Sequence, residues 1–245
     1  MEILITIPSK GRADRVLTKE IFPKDNILLF VPESELKEYQ KHNKDVQIVG
    51  VPNEIKGITK TRNYILDFTK KNKVKYHIQV DDDAMFIEEI QNETKKKITD
   101  YKYIYNLCIK MFVLAEDIGF RLWGFRLTAD MRDYRCMSPF TTVMPVVFNI
   151  AGIIDNDIWF DERFIVKEDY DYSMMHILKY GGVLRYNKYY IGVNHLFNKG
   201  GCASYRNDDI EKQMQNLLVK KWGKKYIKNS NNKNYITVRG LRPGI

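Results

Sequence analysis

The segment YHIQVDDD, residues 76–83, joins an apolar strand pattern to three consecutive carboxylates. The run Tyr76–Val80 predicts a buried β-strand, and Asp81, Asp82 and Asp83 follow it directly. Adjacent carboxylates repel one another by roughly 1 kcal/mol per pair at 4 Å, even in water. A divalent cation relieves this repulsion and can take diphosphate oxygens in its remaining coordination positions. The segment therefore predicts a strand that ends in a metal site; the alternative is a solvated acidic turn.

Three further strand patterns precede this segment and alternate with helical ones. The predicted strands cover Ile3–Ile7, Ile27–Val31 and Val46–Val51, and the predicted helices cover Ala13–Ile21, Glu33–His42 and Thr59–Thr69. This alternation indicates an α/β fold with a mostly parallel central sheet and helices on both faces. Ligands of such sheets bind beyond the carboxyl ends of the strands. Two of those ends, Pro8–Arg12 and Asp81–Asp83, carry polar residues, so we expect a binding site there.

Beyond residue 83 the pattern is less regular. Helices are predicted at Thr99–Ile118, Lys167–Tyr180 and Gln213–Lys228, and strands at Phe120–Leu127, Val143–Ile150 and Val183–Val193. The pair Gly181-Gly182 is a common C-terminal stop for a helix. The sequence contains no internal repeat. We predict a catalytic domain over residues 1–211 and a basic C-terminal helix and tail over residues 212–245, packed on that domain or extending it.

The positive charge of the chain is concentrated at its C-terminal end. The 245 residues carry a net charge of +9. From Lys212 onward there are nine basic and no acidic residues, so this segment holds the entire excess. Such a segment beside a neutral body favours an anionic partner, with nucleic acid as the first candidate. The alternative is a solvated, lysine-rich surface helix.

Other features of the sequence exclude a membrane-spanning protein. No run approaches the roughly 18 apolar residues that a membrane-spanning helix needs, and the amino terminus lacks the pattern of a secretory signal. Cys108, Cys136 and Cys202 match no metal-binding spacing and suit a reducing compartment. We therefore expect a cytoplasmic protein without an integral membrane segment.

A second acidic cluster, Glu168-Asp169, stands at the start of a predicted helix. The backbone N–H groups and the dipole at a helix start favour ionised carboxylates. A carboxylate held ionised in this way can act as a general base toward an acceptor hydroxyl. The alternative is simple capping of the helix.

Three further features suit a nucleotide-binding metal site. Arg62 has a guanidinium fork suited to a phosphate or a uracil edge, although it is also consistent with a surface cation. His195 could complete the coordination shell of the metal, or it could be a hydrogen-bonded structural residue. Gly200-Gly201 could let the backbone approach a diphosphate.

Taken in order, these residues resemble the motifs of the GT-A glycosyltransferases. The matching stretches are Ile5–Arg12, Thr61-Arg62-Asn63, Val80–Asp83, Glu168-Asp169, Asn194-His195 and Leu217–Gly223. Within that fold the chain most resembles the phage TET-associated glycosyltransferases and related DNA arabinosyltransferases, which modify 5-hydroxymethylcytosine. That closer resemblance rests on Pro8–Arg12, the triple aspartate, Lys167–Asp169 and Gly200–Arg206.

The resemblance implies a role for each candidate residue. The residues implied to bind the nucleotide-sugar are Pro8, Ser9, Lys10, Arg12, Arg62, Asp81, Asp82, Gly200 and Gly201. Those implied to hold Mn²⁺ or Mg²⁺ are Asp83 and His195, with Asp81 as a further ligand. Asp169, with Glu168, would supply the catalytic base if the enzyme inverts the anomeric centre. Those implied to contact acceptor or DNA phosphates are Arg132, Arg135, Arg206, Lys220, Lys221, Lys224 and Lys225.

The function that follows is transfer of a sugar from a UDP-sugar to a hydroxyl. The expected acceptor is 5-hydroxymethylcytosine in double-stranded DNA, as in phage DNA hypermodification in the cytoplasm of a host. Three alternatives stay open: a glycosyltransferase acting on a polysaccharide or lipid-linked acceptor, a sugar nucleotidyltransferase, and a DNA-binding scaffold without activity.

Overall fold

The first 80 residues build the half of the sheet that carries the acidic turn. A computed structural model describes residues 1–91, 94–126, 130, 134–193, 206–229 and 236–238. The first four strands are β1 (Leu4–Pro8), β2 (Ile27–Pro32), β3 (Gln47–Val51) and β4 (Tyr76–Val80). They lie in the order β3-β2-β1-β4 and are all parallel. Between them run α1 (Leu36–His42) and α2 (Ile58–Lys71). The predictions for these six elements are confirmed.

The second half of the sheet is mixed. Its strands are β5 (Ala84–Gln91), β6 (Thr94–Ile98), β7 (Leu122–Arg126), β8 (Phe140–Thr141), β9 (Ile150–Ile154) and β10 (Leu184–Val193). The order continues from β4 as β9-β7-β10-β5-β6, with β8 paired to β10. Strand β9 is antiparallel to both neighbours, whereas β10 is parallel to β7. Two short strands, β11 (Ile227–Asn229) and β12 (Ile236–Val238), form a separate pair.

Helices cover both faces of the sheet. The remaining helices are α3 (Tyr101–Asp117), α4 (Glu168–Tyr180) and α5 (Asp208–Trp222). Successive residues of β7 point to opposite faces: Trp123 packs with Phe112 of α3, and Leu122 joins a cluster with Met214 and Leu218 of α5. The α/β fold class predicted from the sequence is thereby confirmed. The predicted domain boundary at residues 211 and 212 falls inside α5, and the division into two parts stays a prediction.

Close packing at the centre of the sheet depends on a glycine. A Cβ atom added at Gly152 in β9 would lie 2.0 Å from the indole ring of Trp123. Real Cβ atoms do not approach a ring so closely, because the repulsion is too large. The buried indole therefore occupies the space above β9 that any larger residue would need.

Two predicted elements are wrong. Instead of a helix over Ala13–Ile21, only a 3-10 turn forms at Thr18–Glu20. The reason is that the N–H groups of Leu17 and Thr18 donate to the carbonyl of Asp82, 2.9 and 3.3 Å away, and not to a helical ladder.

The strand predicted at Val143–Ile150 lies further along the chain, at Ile150–Ile154. The N–H and the carbonyl of Val146 both bond the hydroxyl of Ser173, at 3.0 and 2.9 Å. This side chain takes the place of a neighbouring strand. The helix predicted at Gln213–Lys228 is displaced in the other direction and covers Asp208–Trp222.

The antiparallel pair β5–β6 has no counterpart among the elements predicted from the sequence. Strand β6 forms an edge of the sheet, and its residues Thr94–Lys97 are exposed. The segment TKKKI shows no apolar alternation, because both faces of this edge strand are exposed; Lys96 and Lys97 lie in register with Glu89 and Glu88 of β5. Within the described ranges, the chain contains no helix whose length and apolar character would allow it to span a bilayer.

Candidate active site

The acidic turn follows β4 and is bound to the loop after β1. The hydroxyl of Thr18 donates to the carbonyl of Asp81 and accepts from the N–H of Ala84 at 2.9 Å. Together with the bonds from Leu17 and Thr18 to the Asp82 carbonyl, these contacts fix the backbone of the turn. The two strand ends that the sequence pointed to are therefore adjacent, since β1 and β4 are neighbours in the sheet.

Asp82 is buried and holds the loop after β1. Its two carboxylate oxygens accept from the Ser9 hydroxyl and the Arg12 guanidinium, each at 2.5 Å. Ser9 is also 2.7 Å from the hydroxyl of Tyr39, which accepts from the N–H of Arg12 at 3.0 Å. Burial raises the pKa of Tyr39 to about 12, so this hydroxyl stays neutral. Asp82, Ser9 and Arg12 thus form an internal network that sets the shape of the loop.

Asp81 and Asp83 are partly buried, whereas Asp82 is buried. The side chain of Asp81 is 36% exposed. Burial, and then the charges of Asp81 and Asp82, raise the pKa of Asp83 to about 7. A bound cation would offset that repulsion, and two carboxylates with diphosphate oxygens and water are a usual ligand set for Mg²⁺. The donor set therefore fits a hard divalent ion, although no group of three or more His, Cys, Asp or Glu side chains in the described part of the chain is arranged as a complete metal site.

Arg62 connects the acidic turn to the second acidic cluster. It lies on α2 and is 3% exposed. Its guanidinium donates to Asp81 at 2.9 Å and to Glu168 at 3.3 Å, and it lies 4.8 Å above the ring of Phe148. A planar fork can serve two carboxylates at once. The two clusters, far apart in sequence, therefore meet on either side of one guanidinium.

Glu168 and Asp169 begin α4, as predicted. Burial, followed by the charge of Glu168, raises the pKa of Asp169 to about 7. Burial is likewise the largest cause of the raised pKa of Glu168, against which the charge of Arg62 acts. The expectation that the helix start favours the ionised forms is therefore wrong in its direction, because desolvation outweighs the helix dipole here. A carboxylate with a pKa near 7 suits a general base at neutral pH.

The segment before α4 is fixed on α2. The side chain of Asn63 donates to the carbonyl of Phe160 at 3.0 Å and accepts from its N–H at 2.8 Å. The hydroxyl of Thr59 donates to the carbonyl of Phe164. The neighbours of Arg62 on α2 thus set the position of the chain that leads to Glu168.

A cleft of about 460 Å³ opens beside the loop after β1. Gly11, Arg12, Arg15, Glu35 and His42 line it, and Gly11 has a left-handed φ of 68°. Its N–H donates to Glu35 at 2.7 Å. Of the other residues predicted to bind the nucleotide-sugar, Pro8 is buried at the end of β1 and Lys10 is exposed.

The predicted acceptor-binding residues fall into three groups. The side chains of Arg135, Lys220, Lys224 and Lys225 are exposed. Arg206 and Lys221 form ion pairs, Arg206 with Glu211 and Lys221 with Asp161 and Asp171. Arg132 lies outside the described residues, as do the predicted ligand His195 and the predicted diphosphate contacts Gly200 and Gly201.

Sequence reasoning missed several residues of the site. Tyr39 and Thr18 hold the loop and the turn, and Gln79 of β4 lies 3.5 Å from the Arg62 guanidinium. Gln79 could have been suspected, because a polar residue inside an apolar strand needs a partner. No local pattern marks Tyr39 or Thr18.

The sheet places the acidic turn at the carboxyl end of β4, and Arg62 joins that turn to the carboxylate pair on α4. The sequence profile of the TET-Associated Glycosyltransferase family matches residues 3–202. The chain therefore belongs to the TET-associated glycosyltransferase family.

Two solved structures resemble this chain at low sequence identity. TarS of S. aureus (residues 1–349) is 13% identical with a TM-score of 0.47; the match covers 89% of this chain, which spans 66% of that one. A197 from STIV is 9% identical with a TM-score of 0.42, and the match covers 100% of this chain and 97% of that one. No curated protein sequence matches the chain.

Proposed function

We propose that this chain transfers a sugar from a UDP-sugar to a hydroxyl group, with Mn²⁺ or Mg²⁺ bound at the acidic turn. The observation that carries the proposal is the position of Arg62 between Asp81 and Glu168, at 2.9 and 3.3 Å. It joins the acidic turn, which we propose holds the cation, to the carboxylate pair Glu168-Asp169. A transferase that releases a diphosphate and deprotonates an acceptor needs both.

On the donor side, we assign Asp83 and Asp81, with His195, to the metal. The bound cation would stabilise the negative charge that develops on the leaving diphosphate. The cleft beside Gly11 and Arg12 would hold the nucleotide, with Lys10 at its edge and Gly200-Gly201 as a further contact. Asp82 has both oxygens engaged by Ser9 and Arg12, so we assign it to the shape of this loop.

On the acceptor side, Asp169 would take the proton of the attacking hydroxyl. The acceptor oxygen forms a bond to the anomeric carbon as the bond from that carbon to the UDP oxygen breaks, and the acceptor proton passes to Asp169. This assignment holds for an inverting enzyme. Glu168 would keep the guanidinium of Arg62 beside the reacting groups.

We further propose that the acceptor is 5-hydroxymethylcytosine in double-stranded DNA of the host cytoplasm. Support comes from the family to which the chain belongs and from the exposed basic residues Arg135, Lys220, Lys224 and Lys225. Arg132, Arg206 and Lys221 complete this predicted surface. The hydroxymethyl group projects into the major groove, and an enzyme reaches it there or by flipping the base out of the duplex.

The proposal is tested by measuring UDP release from a panel of UDP-sugars with hydroxymethylated duplex DNA, with and without Mn²⁺. Asp83→Ala is expected to abolish the metal-dependent release. Asp25→Ala is the matched control, because Asp25 is exposed in the turn before the amino-terminal end of β2. The acidic turn lies at the other end of the strands, after the carboxyl end of β4. Release that is equal in the Asp83 variant and the wild type would remove Asp83 from the site. Thermal-shift measurements with UDP, GDP and CDP sugars identify the nucleotide.

A further inference from the structure

Two ion pairs from α5 flank the carboxylates at the start of α4. On one side, the ammonium of Lys167 lies 2.5 Å from Glu211 in the first turn of α5. On the other side, Lys221 near the end of α5 lies 2.9 Å from Asp171, and the indole of Trp222 donates to the same carboxylate at 2.7 Å. One helix thus contacts Lys167, directly before Glu168-Asp169, and Asp171, two residues after Asp169.

The contact between Lys167 and Glu211 is almost fully desolvated. Their side chains are 6% and 5% exposed. Burial alone would raise the pKa of Glu211, but the charges of Lys167 and Arg206 outweigh it and hold that pKa below its ordinary value. An uncompensated charge at such a site is strongly unfavourable, so each partner fixes the place of the other.

The backbone at this point is unusual. Lys167 has φ 64° and ψ 19°, in the left-handed region, directly before the first helical residue of α4. A non-glycine residue persists in that region only when its surroundings enforce it, and such residues cluster at functional sites. The side chain of Lys167 is held at this point by its ion pair with Glu211.

We propose that α5 is the positioning element of the acceptor-side base, acting through the Glu211–Lys167 and Lys221–Asp171 ion pairs. This inference rests on the proposed role of Asp169. Glu211 and Lys167 act through the backbone of α4 and are positioning residues. The basic C-terminal helix would thus position Asp169, a role that is separate from any contact with DNA.

The first test uses Lys167→Met and Glu211→Gln, with Lys179→Met as the control. Lys179 pairs with Asp157 near the far end of α4. Both test variants are expected to lower kcat by roughly 10- to 100-fold, because a small misplacement of a reacting group has that effect. KM for the best donor of the panel should stay within about twofold, since the nucleotide site is untouched. The control should keep the wild-type kcat.

The pH profile separates positioning from a loss of folding. The groups that act on the titration of Asp169 are Glu168, Arg62, Lys167 and the N–H of Tyr170. Lys167→Met removes a positive charge, so the midpoint of the kcat profile should move upward. Glu211→Gln leaves that charge uncompensated, so the midpoint should move downward, each by roughly half a pH unit. Lower activity with an unmoved midpoint in both variants would overturn the inference.

Two further variants cover the case in which Glu211→Gln fails to fold. Lys167→Arg keeps the charge and should restore most of the kcat that is missing in Lys167→Met. Lys221→Gln alters the second ion pair at a partly exposed lysine and should also lower kcat. A wild-type kcat in Lys221→Gln would refute the positioning role of the Lys221–Asp171 ion pair. If Lys167→Arg does not recover kcat, the positioning role of the Glu211–Lys167 ion pair is refuted.

Asp169→Asn separates this inference from the function on which it rests. If Asp169→Asn keeps the wild-type kcat, the proposed base is wrong. If it abolishes turnover while the ion-pair variants keep both kcat and midpoint, only the inference fails. Hydrogen exchange of residues 166–172, measured by mass spectrometry without substrate, should be faster in Glu211→Gln than in Lys179→Met, and equal exchange would contradict the positioning role.

Discussion

Replacing Arg62 by methionine removes the guanidinium that joins the two carboxylate clusters and keeps most of the side-chain volume. The variant cannot form the ion pairs that Arg62 makes with Asp81 at 2.9 Å and with Glu168 at 3.3 Å. Removing one partner of a buried ion pair costs about 3–5 kcal/mol. Because the side chain of Asp81 is 36% exposed, water can solvate this carboxylate in the variant, and we expect the lower end, about 3 kcal/mol.

For a chain of this length, 1 kcal/mol corresponds to a change in Tm of about 2–4 °C. Arg62→Met should therefore melt about 6–12 °C below the wild type. The difference should depend on pH. Burial raises the pKa of Glu168 and Arg62 acts against that shift, so the contribution of Arg62 is largest at high pH and declines as the pH falls and Glu168 takes up a proton. The difference in Tm between variant and wild type should accordingly be smaller at pH 5 than at pH 8.

The measurement is thermal unfolding followed by circular dichroism at pH 5, 6.5 and 8. Arg163→Met is the control, because Arg163 pairs with Asp161 at the surface, where its side chain is 65% exposed. Exposed pairs contribute about 0–1 kcal/mol. Two results would refute the stabilising role of the Arg62 ion pairs. One is a drop in Tm that is no larger for Arg62→Met than for Arg163→Met; the other is a drop for Arg62→Met that is equal at pH 5 and pH 8.

Three further predictions concern the base, the core and the charged surface. We expect kcat to rise with pH around a midpoint near 7, since Asp169 must lose its proton to act. In the unfolded chain the same carboxyl loses its proton near pH 4. Its contribution to the free energy of unfolding therefore falls as the pH rises toward 7. Gly152→Ala should lower the free energy of unfolding by about 1–3 kcal/mol, because the new Cβ would overlap the ring of Trp123. Replacing Lys224 and Lys225 by glutamine should weaken DNA binding and reduce the slope of log K against log salt by roughly 2.

Each of these three has an outcome that contradicts it. A pH profile of the same shape in Asp169→Asn as in the wild type would assign the titration to another group. An unchanged Tm in Gly152→Ala, measured by circular dichroism, would contradict the contact with Trp123. The salt slope is measured by fluorescence anisotropy on hydroxymethylated duplex DNA, with Lys75→Gln as control, since Lys75 pairs with Glu116 away from α5. Equal slopes for variant and control would remove these lysines from the interface.

The half of the fold that the sequence predicted well is the half with local signals. Strands β1 to β4 are short apolar runs, and the acidic turn follows one of them without a gap. These patterns depend only on near neighbours in the chain. The rule that ligands bind at strand ends was then sufficient to place the loop after β1 next to the aspartates.

The remaining features depend on distant contacts. Leu17 and Thr18 do not continue a helix because the carbonyl of Asp82 takes their N–H groups, and Val146 does not join the sheet because Ser173 bonds it. Neither partner can be identified from the segment itself. The direction of the pKa shift of Asp169 could not be predicted either. The sequence shows that Asp169 lies at a helix start, but it does not show the burial, which raises the pKa more than the helix dipole lowers it.

The contact between Ser9 and Asp82 has a thermodynamic consequence. Through it, the strand-end loop that would hold a nucleotide and the turn that would hold a cation are parts of one hydrogen-bonded unit. In the proposed site, a ligand that stabilises this unit would also favour binding of the other ligand. By linkage, a nucleotide that raises the affinity for the cation by some factor must have its own affinity raised by the same factor.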